Sequence, residues 1–179
     1  MALFAVYMYR KGEKSHPNKI ALFWTIGASI VSFVGAGLLG FAHTLPQTNI
    51  YTHGTLVTAM HGHYAFWGAY AMIVLAIISY ALPNLTGRKR YNNTSGHMAF
   101  WFSNVGMLGM TVAFGVAGVA QVYLERKMKL DFMDVQNEIA IHFVVLLVCA
   151  TLFTTGITLF IIEFIKYGKP TDEALIKVE

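Results

Sequence analysis

Charge is what this chain lacks most: Asp, Glu, Lys and Arg make up 12% of its 179 residues, where a soluble domain carries roughly 25%. From Ile20 to Gly87 there is none at all. That shortage excludes an ordinary soluble fold and leaves an integral membrane protein. Cysteine is nearly absent too, with Cys149 alone inside an apolar run, so no disulfide framework or thiolate metal site can form. The four prolines, Pro17, Pro46, Pro83 and Pro170, fall in the connectors between apolar runs. The net charge of +4 does not argue for a nucleic-acid partner, because the basic residues sit in short loops. A cleavable signal peptide is not expected, since the apolar Met1–Tyr9 precedes the basic cluster instead of following it.

What the sequence has is length in its apolar runs. A membrane helix needs about 20 apolar residues, and spans are expected over about 20–43, 51–82, 98–124 and 138–165. The fold class is therefore all-α, a polytopic helical bundle forming a single membrane domain over 1–179. Residues 1–9 are too short to cross and read as the end of a helix whose beginning is missing, or as a short interfacial helix. Gly35, Gly37 and Gly40 suit close helix approach in the first span. Basic residues divide unevenly between the two sides. Ten of the thirteen (Arg10, Lys11, Lys14, Lys19, Arg88, Lys89, Arg90, Lys166, Lys169 and Lys177) fall in the first loop, the Arg88 loop and the tail. Those segments, and both termini, are expected in the cytoplasm of a bacterial-type inner membrane.

The second span opens with Tyr51-Thr-His-Gly-Thr-Leu-Val-Thr-Ala-Met-His-Gly-His-Tyr-Ala-Phe-Trp-Gly-Ala-Tyr70. An ionisable or metal-ligating side chain in such a segment marks a functional site by default. On a continuous helix from Tyr51, His61 and His63 lie roughly 14 to 18 Å in from Thr52. Two residues apart, they point about 200° away from each other. They are poorly placed to share a metal, which favours i,i+3 or i,i+4 pairs, but each suits a separate centre. Gly62 between them leaves room for a large flat group, and imidazole suits haem iron. The alternative is a pair of histidines hydrogen-bonded to neighbouring helices.

The run His53-Gly-Thr and His61-Gly-His63-Tyr-Ala-Phe-Trp-Gly-Ala-Tyr70 resembles helix ten of the catalytic subunit of the haem–copper oxidase superfamily, in its cytochrome c-dependent nitric oxide reductase branch. Lys14-Ser-His-Pro-Asn-Lys19, Gly40-Phe-Ala-His-Thr-Leu45 and Val116-Ala-Gly-Val-Ala-Gln-Val-Tyr-Leu124 are similar to the same family. The likeness runs from helix nine through helix twelve of a twelve-helix fold, strongest from Lys14 to Tyr80. It implies haem b in two forms, with His61 as axial ligand of the high-spin catalytic haem and His63 as one axial ligand of the low-spin haem. It also implies reduction of nitric oxide to nitrous oxide at a haem and non-haem iron pair. The non-haem iron ligands and the second low-spin ligand belong to upstream spans. The expected partners are those amino-terminal spans, a membrane-anchored cytochrome c subunit and the bilayer, and the chain alone is expected to be inactive.

Other residues stay open between two roles. His53, read as the outer end of the histidine helix, is a candidate cofactor-binding residue toward a haem propionate, or an interfacial histidine bonded to water; His43 is ambiguous in the same way. Arg126 and Lys127 suit propionates or a solvated loop. Glu138 and His142 suit a buried pair, part of a proton path or an interfacial pair, and His16 and His97 are expected to be solvated. Phe66, Trp67, Phe100, Trp101 and Phe102 suit a macrocycle, lipid or interhelical packing. Rival readings are a cbb-type oxygen reductase and a non-catalytic haem-binding membrane protein.

Overall fold

A computed structural model describes residues 7, 10, 18–87 and 93–167. Among them there are helices and short connectors, with no strand. Four helices are long and apolar enough to cross a membrane: α1 (Lys19–Thr44), α3 (Leu56–Leu85), α4 (Thr94–Lys127) and α5 (Phe132–Tyr167). A short helix, α2 (Pro46–Thr52), lies between the first two. The reading of residues 1–9, and His16, lie outside the described residues apart from Tyr7.

Helix starts follow from the local sequence. Asn18 caps α1 by accepting from Ala21 N at 3.0 Å and, from its own amide, donates to the Ser79 carbonyl at 2.8 Å. That bond pins the first turn of α1 against the last turns of α3. Thr55 caps α3, taking the Val57 N–H at 3.3 Å. Pro83 does not end α3, which runs on to Leu85 and stops before Gly87, at φ +66°.

Each long helix sends one large aromatic to a common point. Trp24 of α1 is fully buried and meets Phe100 of α4, Phe160 of α5 and Trp67 of α3 edge-on, at centroid distances of 5.1, 5.8 and 6.1 Å. Such pairs add about 0.5–1.5 kcal/mol each beyond their burial. Trp67 is buried with its indole N–H donating to Asn104 Oδ1 at 3.1 Å, so its polar edge is satisfied. Glycines set the spacing between the helices. A Cβ on Gly118 would stand 2.3 Å from Val57 N, and one on Gly156 2.4 Å from Ser103 N. Backbones at such range are van der Waals contacts that only hydrogen allows. Gly37, by contrast, touches only its own helix.

Two features depart from the sequence reading. The histidine span is not one helix from Tyr51: the chain breaks at His53 and Gly54, where Gly54 sits at φ +74°. Measured from Leu56, His61 and His63 lie only about 8 and 11 Å along α3. The long helices also contain wide turns at Phe33–Leu39, Trp67–Ala71 and Tyr123–Lys127, with the i→i+5 bonding of π-helix. Turns of that kind recur at functional sites.

Candidate functional site

His61 and His63 lie in the regular part of α3, Leu56–Phe66, so the 100° per residue reading applies to them. The two rings do face different neighbours. His61 turns to α1, where its Nδ1–H donates to the Gly35 carbonyl at 2.9 Å. Gly35 must be glycine there, because a Cβ would stand 2.8 Å from the Ala65 N of α3. His63 turns to α4: its ring lies 5.0 Å from that of Phe114 at 30°, while its Nδ1–H donates to Ala59 O at 2.8 Å.

A carbonyl oxygen only accepts, so Nδ1 carries the hydrogen in both rings and Nε2 is left to bind a metal. An N–H tied to a backbone carbonyl is the arrangement that orients metal-ligating histidines. Gly62 has no atom within 4 Å of an added Cβ, so the helix surface between the rings is open. On the His63 side lies a cavity of about 680 Å³, lined by Ala59, Gly62, His63, Phe66, Trp67 and Met107 among others. It is almost wholly apolar, as a macrocycle site would be. These residues fit one imidazole ligand to each of two haems. Among the described residues no group of three or more His, Cys, Asp or Glu could hold a metal ion.

The other candidates scatter. His53 closes α2 and is exposed, on a different helix from His61, because Gly54 turns the chain between them. Its imidazole has no hydrogen bond to the described residues. His43 stacks on His61 with centroids 4.9 Å apart and planes 23° apart. His97 is not simply solvated: it is half-buried and meets the Phe23 ring edge-on at 4.9 Å. Glu138 and His142 do not bond to each other, since His142 Nδ1 reaches Ile139 O at 3.2 Å and Glu138 is exposed. Arg126 is exposed, and Lys127 lies over the Tyr123 ring at 5.5 Å. Of the five aromatics, Trp67 and Phe100 are core, Phe102 is half-buried, and Phe66 and Trp101 face outward.

Sequence reading passed over Glu163, which is 6% exposed with Oε2 unpaired among the described residues. An acid inside an apolar run was the signal. It lies near the Tyr167 end of α5, one turn beyond Phe160, and takes no part in the histidine site. Gln121 was missed as well: its Oε1 accepts the Leu56 N–H at 2.9 Å and holds the start of α3.

An all-α bundle with four helices long and apolar enough to cross a membrane is the class the fold defines. Residues 1–162 match the family described as Cytochrome C and Quinol oxidase polypeptide I, and the chain belongs to that family of membrane oxidoreductases. Within it the chain is similar to a nitric oxide reductase subunit from Stutzerimonas stutzeri, 38% identical over 177 residues. The match covers 94% of this chain and 37% of that relative, so the chain spans well under half of the relative's length.

Proposed function

We propose that this chain is the haem-ligating part of a nitric oxide reductase catalytic subunit, in which nitric oxide is reduced to nitrous oxide. The observation that carries the reading is the separate placement of His61 and His63. Each has Nδ1–H tied to a carbonyl, at 2.9 and 2.8 Å, and each is held against a different helix. In this reading His61 Nε2 would hold the iron of a high-spin haem b and His63 Nε2 that of a low-spin haem b. The haems, with a non-haem iron whose ligands lie in upstream spans, supply the electron transfer and the binding of substrate. Two molecules of nitric oxide, two protons and two electrons give nitrous oxide and water.

What the residues of this chain contribute is orientation. The α1 carbonyl at Gly35 fixes one ring and the α3 carbonyl at Ala59 the other, so each ligand presents one nitrogen in one direction. The apolar lining beside His63 would add contact with a flat group to the bond made by the ring nitrogen. His53, at the turn before α3, is a cofactor-binding residue toward a propionate. The partners are the amino-terminal spans and a membrane-anchored cytochrome c subunit, with both termini cytoplasmic in a bacterial-type inner membrane.

The test is co-expression of this chain with the amino-terminal spans of the subunit, followed by gas analysis under nitric oxide. Nitrous oxide formed with an artificial electron donor supports the reading. A complex that consumes oxygen and makes no nitrous oxide assigns the chain to an oxygen reductase, and a complex that binds haem but turns over neither gas makes it a non-catalytic haem protein.

A further inference from the structure

His61 is held by more than its hydrogen bond. Three features of one stretch of α1 close on it: the Gly35 carbonyl at Nδ1, Gly40 at its edge, and the His43 ring on its face. A Cβ on Gly40 would lie 3.3 Å from His61 Cε1, so the glycine lets the ring in. All three are brought round by the wide turn at Phe33–Leu39, which sets where the chain beyond it faces.

The Gly35 bond alone leaves the ring under-determined. The second side-chain torsion of histidine is broad, and the ring can rock about the Nδ1···O direction without losing that bond. A flat neighbour at 4.9 Å and 23° removes that freedom. His43 is fit for this because its own plane is set: its Nδ1–H donates to Leu39 O at 2.9 Å. Its other nitrogen, Nε2, is buried with no hydrogen-bond partner among the described residues. Among the described residues the ring contact this imidazole makes is its face, packed on His61.

His63 repeats the arrangement with different parts. Its Nδ1–H goes to a carbonyl, and its face lies 5.0 Å from Phe114 at 30°. Each histidine thus has one carbonyl and one aromatic face, the phenyl of Phe114 for His63 and the imidazole of His43 for His61.

We propose that His43 is a positioning residue for His61, its stacked ring setting the plane in which His61 presents Nε2 to the metal. This rests on the reading of His61 as a haem ligand. The test uses the complete subunit carrying His43→Ala or His43→Phe, with His61→Ala as reference, and resonance Raman spectra of the reduced high-spin haem. The iron–histidine stretching band reports the ligand ring directly, and a purely structural role elsewhere leaves it unmoved. His43→Ala should shift and broaden that band at unchanged haem content, and His43→Phe, which keeps a flat wall, should restore a narrow band. An unshifted, narrow band in His43→Ala overturns the proposal, as does loss of the haem in both His43 variants. A band that persists in His61→Ala instead removes the underlying ligand assignment.

Discussion

His61 donates its Nδ1–H to the carbonyl oxygen of Gly35 across 2.9 Å, joining residues 26 apart in the chain. The bond is possible because α1 and α3 touch backbone to backbone at that level, with no side chain on Gly35 to part them. Helix contact and ligand orientation are therefore one feature, and both depend on the same glycine.

Gly35→Ala should separate the two helices. Its Cβ would meet Ala65 N and Tyr64 C at 2.8 Å, both backbone atoms that cannot rotate away. A loss of about 1–3 kcal/mol is expected, together with a weakened His61 bond. Gly37→Ala meets only its own helix, at 3.8 Å, and should leave the fold unchanged. Thermal unfolding of the detergent-solubilised subunit compares the two, and equal melting temperatures would refute the close-packing argument.

Gln121 holds the start of α3 from α4. Its Oε1 accepts the Leu56 N–H at 2.9 Å while its amide donates to Glu125 Oε1 at 2.8 Å. Gln121→Leu strands a first-turn N–H in a partly buried place, for about 1–3 kcal/mol. Glu125→Gln keeps an acceptor oxygen and should cost under about 1 kcal/mol. Denaturant titration ranks them; a Glu125→Gln loss as large as that of Gln121→Leu would mean that the charge, and not the cap, matters.

Orientation follows from the ten-to-three division of Lys and Arg. Reporter domains fused after Gly87 should report the cytoplasm, and those fused after Lys129 the outer side. The reverse pattern would invert the bundle and move the histidine end of α3 to the cytoplasmic face.

Much of the fold was legible because a bilayer leaves a coarse mark. Uncharged runs of bilayer length, with basic connectors after the second and third, gave the four spans, and the 3.6-residue period placed His61 and His63 on opposite faces before any neighbour was known. The break at His53 was legible in principle, since Gly54 followed by Thr55 is a turn and a cap, yet the absence of charge made the run look continuous. The wide turns left no such mark. Two of them coincide with close helix contacts, at Gly35 and at Gly68 beside Trp67, and local composition does not encode that meeting. For the same reason His43 stayed open between a propionate and an interfacial role, with no sign of His61: that partner lies on another helix, and only packing brings the two rings together.

The central claim is that His61 and His63 serve two different centres, and replacing each by Ala in the complete subunit tests it most directly. His63→Ala should abolish the low-spin, six-coordinate haem signature and block electron delivery. His61→Ala should keep that signature and remove the five-coordinate haem, so that carbon monoxide no longer shifts the spectrum. If both variants lose the same haem, or neither loses any, the two-centre assignment is wrong, and His61 serves only to tie α3 to α1 while His63 bonds within its own helix.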